Sequence, residues 1–185
     1  MFSRILIKLI DQSIVPAIML VTARIISLVL VARYFGIEYT VGSQGIVYSD
    51  AGGYVLVNSY SVFIMVVLLS VGIMYILLKA LLFHETHIAP HLTARLFSLK
   101  LSSVIQNSFD LYSQGSIWLS YLYLILLTSG VMAYYGLIYT WVFYVSLILT
   151  ILTSVLFVFD VENELDLHKG STTDKTEEFI LEFKE

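Results

Sequence analysis

From Leu111 to Phe159 the chain runs for 49 residues without one Asp, Glu, Lys or Arg. A water-soluble domain cannot hide a stretch of that length, whereas a bilayer-spanning helix needs about 20 mainly apolar residues. The run is therefore long enough for two spans. Tyr134-Tyr135-Gly136 interrupts it with a glycine and interfacial tyrosines, which predicts a tight helical hairpin over about 115–135 and 139–159. Composition agrees. The 185 residues are 58% hydrophobic and 13% charged, against roughly 45–50% and 25% for ordinary soluble domains. A disordered chain would need lower hydrophobicity. A nucleic-acid-binding face would need a basic balance, and here 10 Lys+Arg stand against 14 Asp+Glu. A disulfide scaffold would need cysteine, of which there is none.

Upstream, Ala51 to Leu78 is again free of charge and the apolar pattern continues to Phe83, giving a span at about 54–83. A further one, about 14–35, contains Arg24, with Pro16 near its start. The expected fold is all-α: a polytopic membrane protein, a four-helix transmembrane bundle with amphipathic interfacial helices. Its membrane domain covers 14–159, and its only expected environment is the lipid bilayer.

Orientation follows from the cations, which concentrate on the cytoplasmic side of membrane proteins. Arg4, Lys8, Lys79, Arg95, Lys100, Lys169, Lys175 and Lys184 fall on one side of the four spans and Arg33 alone on the other. Both termini are thus expected in the cytoplasm, with the protein in the cytoplasmic (plasma) membrane. Four spans require the termini to share a side, which fits.

Outside the spans, residues 1–13 place Phe2, Ile5, Leu6, Leu9 and Ile10 on one side of a helix and Arg4, Lys8 and Asp11 on another, a pattern suited to the headgroup boundary. Residues 84–114 read as a cytoplasmic amphipathic helix with Pro90 in its first turn and Gly115 as a bend before the third span. Residues 36–53 hold two β-favouring runs around Gly42-Ser43-Gln44-Gly45, the mark of a hairpin. The tail 160–185 is acidic, and Gly170-Ser171-Thr172-Thr173 is expected to break its helix before a last short one at Asp174.

Arg24 is the residue that most invites a function, because an uncompensated arginine inside a bilayer costs at least about 2.5–3.5 kcal/mol. No Asp or Glu lies in any span. At comparable depth the expected contacts are Tyr123 and Thr128 on the third span and Tyr144 and Thr150 on the fourth. An anion, a lipid headgroup or an acidic residue of another chain would suit Arg24, as would a solvated crevice. Ser129 and Ala133, and Ser146, Thr150 and Ser154, recur every fourth residue, the spacing of close helix packing. Trp118, Trp141 and Tyr34, Tyr54, Tyr134, Tyr135 and Tyr139 fit interfacial belts. His84, His87 and His91 are the weak metal candidates: His-Glu-Thr-His lacks one residue of the zinc-protease spacing, and Pro90 disturbs the helix between His87 and His91. No catalytic residue, cofactor or metal is expected, and no nucleic acid. The expected role is that of a small non-enzymatic membrane protein acting by association with other membrane proteins or lipids, or with a second copy of itself. A transporter or channel component with a polar path near Arg24 is the alternative, and a membrane enzyme a more distant one.

Overall fold

The computed structural model describes residues 2–43, 45–83 and 108–182. Four helices form the bundle: α1 (Phe2–Tyr34), α2 (Ala51–Phe83), α3 (Ser108–Tyr134) and α4 (Thr140–Glu182). Between α1 and α2 lies a hairpin of β1 (Tyr39–Gly42) and β2 (Gly45–Tyr48). Each helix holds a stretch long and apolar enough to cross a membrane: Leu9–Tyr34, Ala51–Lys79, Tyr112–Tyr134 and Thr140–Glu162.

Local chemistry fixes the ends. Gly36 (φ 65°) follows α1, with Ile37 N–H donating to Ala32 O and Gly36 N–H to Arg33 O. Gly136 (φ 70°) follows α3 with the same pair of bonds, Leu137 to Met132 and Gly136 to Ala133. Both are Schellman caps, whose left-handed residue carries no Cβ penalty when it is glycine. At the start of α2, Asp50 Oδ2 accepts from Gly53 N–H at 3.0 Å, satisfying one of the free first-turn donors. The strands pair antiparallel with Tyr39 opposite Tyr48 and Gly42 opposite Gly45.

One helix runs from Phe2 through the first span, past a fully buried Pro16. Two expectations about the helices are corrected. Gly115 is no bend. It lies buried within α3, where an added Cβ would come within 2.3 Å of the Phe157 ring, so it is a point of close helix approach. Gly170-Ser171-Thr172-Thr173 does not interrupt α4, which continues to Glu182. One glycine costs a helix only about 1 kcal/mol, which flanking turns can absorb. Of the expected 84–114 segment, residues 84–107 lie outside those described.

In the bundle α2 packs against all three other helices, α3 against all three as well, and α1 and α4 flank this central pair. The core is built on Val66, Leu69 and Ile73 of α2 with Trp118, Leu122 and Ile125 of α3. Its burial pattern is inverted relative to a soluble protein. Ile18, Leu127 and Ile148 are more than 60% exposed, while Ser27, Asn58, Ser59, Ser61, Ser129, Ser146, Thr150 and Thr153 are at most 2% exposed. Small and polar residues inside with aliphatic residues outside is the arrangement expected when the surroundings are hydrocarbon.

Trp118 is a further correction. It is not in an interfacial belt but buried, its ring seated on Gly72 of α2, where a Cβ would lie only 1.9 Å from the indole. A glycine opposite a large flat ring lets two helices approach and fill the gap, and that packing outweighs the preference of tryptophan for the interface.

Candidate functional site

Arg24 and Ser27 stand one turn apart on α1, and Asn58 and Ser61 one turn apart on α2. Packed antiparallel, the two helices set Ser27 level with Ser61, with Arg24 about one turn below and Asn58 about one turn above on the hairpin side, a gap that the long Arg24 side chain crosses. Arg24 Nη2 donates to Asn58 Oδ1. The Ser27 and Ser61 hydroxyls lie 2.5 Å apart. Ser27 Oγ donates back to Arg24 O at 3.0 Å, so in the serine pair Ser61 is the donor.

The second half of the cluster ties it to the α3–α4 turn. Asn58 Nδ2 donates to Leu137 O at 3.0 Å. Ser59 Oγ accepts from Tyr139 N–H at 2.8 Å while donating to Val55 O. Asn58 therefore uses both ends of its amide, one on the cation and one on a turn carbonyl, and is 1% exposed. The Arg24 side chain climbs toward the hairpin end of the bundle to reach it.

Two polar atoms of this neighbourhood are buried without a hydrogen-bond partner: Arg24 Nη1 and the Tyr48 hydroxyl. Tyr48 and Tyr54 are the groups whose fields act on the guanidinium; no carboxylate does so among the described residues. Burial pushes the Tyr48 phenol above its ordinary value, with the Arg24 charge pulling the other way, so it remains a protonated donor at physiological pH. Its ring stands 6.4 Å from Tyr39 and 6.1 Å from Tyr54. Beside these rings is a pocket of about 510 Å³ lined by Glu38, Tyr39, Thr40, Tyr48 and Ser49, with Ile37 and Val47. A second groove, about 400 Å³ and almost wholly apolar, runs along α1 and α2 past Met19, Ala23, Ile26 and Leu68.

The contacts expected of Arg24 on the third and fourth spans are not made. Tyr123, half exposed, shares a 2.9 Å hydrogen bond with Ser154. Thr128 donates to carbonyls of its own helix, Leu124 and Ile125. Tyr144 is exposed, and the buried Thr150 donates to Ser146 O at 2.7 Å. The depth of the Arg24 backbone is not that of its charge, because a side chain this long ends more than a turn away. The residue that matters, Asn58, is the only asparagine within the four apolar stretches.

Ser129 donates to Leu126 O, Ser146 to Val142 O and Ser154 to Thr150 O; the first two close on their own helix, while Ser154 also accepts from Tyr123 across the α3–α4 seam. Ala133 is half buried near the α3–α4 turn. His84, His87 and His91 lie outside the described residues, and among the described residues no group of three His, Asp or Glu side chains stands ready to hold a metal. Comparison with protein-family models, with curated proteins and with solved structures finds no match for the chain.

Proposed function

We propose that this chain is a small, non-enzymatic, multi-pass membrane protein that works by association with other membrane proteins or lipids, with the Arg24 cluster as its contact point. One observation carries the reading. A guanidinium among buried neutral residues is held by an amide, has no carboxylate beside it among the described residues, and keeps Nη1 without a partner. A buried cation is normally matched by an acceptor, and in this reading a partner or a lipid headgroup supplies it.

The level of the cluster supports this. Gln12 accepts from Ser113 at 2.9 Å near the end of the bundle opposite the hairpin. From Ser113 to Tyr134, α3 rises about 31 Å at 1.5 Å per residue, close to the hydrocarbon thickness of a bilayer. Asn58 is bonded to the turn just beyond Tyr134, so the Arg24 head reaches the membrane boundary, within range of headgroups or of a partner's polar residues. Tyr134 and Tyr135, 85% and 70% exposed, mark that boundary as interfacial tyrosines do.

The test is extraction of the full chain into polymer nanodiscs from its own membrane, followed by crosslinking and analysis of retained protein and lipid. Association predicts a bound partner, a second copy or retained lipid, and loss of it in Arg24→Leu. A bare monomer holding neither, unchanged by the substitution, ends the proposal.

A further inference from the structure

We infer that an ordered water is bound in the α1–α3 seam, toward the end of the bundle away from the hairpin. It accepts from the Trp118 indole N–H and donates to the main-chain carbonyl that Pro16 leaves free on Gln12. The site is independent of the Arg24 cluster and of the association reading.

The acceptor comes from α1. In a helix the carbonyl of residue i receives the N–H of residue i+4, so the ordinary partner of Gln12 O is residue 16. That residue is a proline within the membrane-spanning stretch Leu9–Tyr34, and proline has no N–H to give. The freed carbonyl lies on the same side of α1 as the proline ring, because the ring takes the place of the missing hydrogen. Pro16 is fully buried, so the carbonyl faces the bundle and not the lipid. Proline is tolerated inside a membrane helix where a neighbouring helix or an ordered water takes up the carbonyl it frees.

The donor comes from α3. Trp118 is 7% exposed, and its Nε1 has no hydrogen-bond partner among the described residues. The indole atoms nearest the Gly72 position are Cζ3, Cε3 and Cη2. Nε1 is on the other edge of the ring, turned away from that contact. A buried indole N–H left unbonded costs about 1–3 kcal/mol of lost hydration.

Two hydrogen bonds between the helices bring donor and acceptor to one level. Ser113 Oγ donates to Gln12 Oε1 at 2.9 Å, and the Tyr121 hydroxyl donates to Ser13 O at 3.3 Å. Trp118 stands between Ser113 and Tyr121 on α3, and shares a buried cluster with Leu20, one turn above Pro16. A donor and an acceptor on facing helices, both neutral and not bonded directly, are joined by a molecule that accepts from one and donates to the other. Water does both. The Tyr121 hydroxyl oxygen keeps an acceptor position for its second hydrogen, which gives the roughly three bonds that buried waters make. Trp118 is about 8 Å above Ser113 at 1.5 Å per residue, so the path from the membrane boundary is short.

The experiment is NMR of the full chain in bicelles with ¹⁵N-labelled tryptophan. The sequence has two tryptophans, so there are two indole signals, and Trp141→Phe assigns them. The Trp118 indole N–H should give an Overhauser cross-peak to water, with the rotating-frame sign that separates a bound water from chemical exchange. Pro16→Ala supplies the missing N–H, which closes on Gln12 O. In that variant the water cross-peak should vanish while the indole signal itself persists. A wild-type Trp118 indole without a water cross-peak overturns the inference, whether or not Pro16→Ala folds, and a hydrogen-bonded chemical shift in that case would mean direct capture of a carbonyl. A cross-peak that survives in a Pro16→Ala chain of wild-type melting temperature also overturns it, because the water would then be held by something other than the freed carbonyl.

Discussion

The α1–α2 seam and the α3–α4 seam both bury hydroxyl residues, yet they use them in opposite ways. Between α1 and α2 the polar groups bond across the gap: Arg24 to Asn58, Ser27 to Ser61. Between α3 and α4 the buried Ser129, Ser146 and Thr150 bond to carbonyls of their own helices, and apart from the half-exposed Tyr123–Ser154 pair contact comes from shape, with Gly115 under Phe157 and Gly130 against Phe143, whose ring an added Cβ would meet at 3.2 Å. The first seam is directional. Slipping α1 along α2 by one residue would strand a cation and an amide together. The second is steric and tolerates exchange of its hydroxyls for apolar groups of like size.

Three substitutions test that contrast, and a fourth probes the α2–α3 contact between them. The largest effect belongs to Asn58→Leu, which leaves the buried guanidinium without its acceptor and should destabilise the fold by about 2–3 kcal/mol, the scale of a lost hydrogen bond to a buried charged group. SDS-titration unfolding in bicelles measures it, and Arg24→Leu/Asn58→Leu should recover part of the loss. If the single substitution is silent, the seam is not directional. Next comes Gly72→Ala, which forces the Trp118 ring off α2 and should cost about 1–3 kcal/mol as overpacking does. Combination with Trp118→Phe should return some of it, since the smaller ring makes room; no rescue would mean that the clash is relieved by the backbone instead.

Ser27→Ala sits lower on the scale. It removes one cross-helix hydroxyl pair, worth about 0.6 kcal/mol in membrane bundles, and the same unfolding assay should resolve it from wild type. Thr150→Val is the smallest. Its hydroxyl serves only Ser146 O, a carbonyl of its own helix, so the change should stay within about 0.5 kcal/mol. A larger loss would show that Thr150 has a role across the seam, and would bring back a polar path as a reading of α4.

How much was legible differs along the chain for the same physical reason. The three charge-free stretches of α2, α3 and α4 could be read directly, because hydrocarbon excludes charge whatever the neighbours are. The hairpin at 39–48 and the turn at Gly136 could be read because their glycines stand where positive φ is needed. Trp118 could not, since its place depends on Gly72 lying opposite, 46 positions away in a different helix. Nor could the partner of Arg24, which depends on where a long side chain ends rather than where it starts. The continuous run of α4 past Gly170 was missed because helix-breaking tendencies of single residues are weak beside cooperative propagation.

The sequence by itself determined that four apolar helices form, where they turn, and that one cation must be accommodated among them. All of that follows from the free energy of exposing charge or backbone to an apolar medium, a cost each residue carries wherever it lies. Tertiary structure alone decided that Asn58 receives Arg24, that Tyr48 and Arg24 Nη1 are left buried without partners, and that Trp118 belongs to the core. Those outcomes are set by which surfaces of separate helices meet, and only packed helices hold that information.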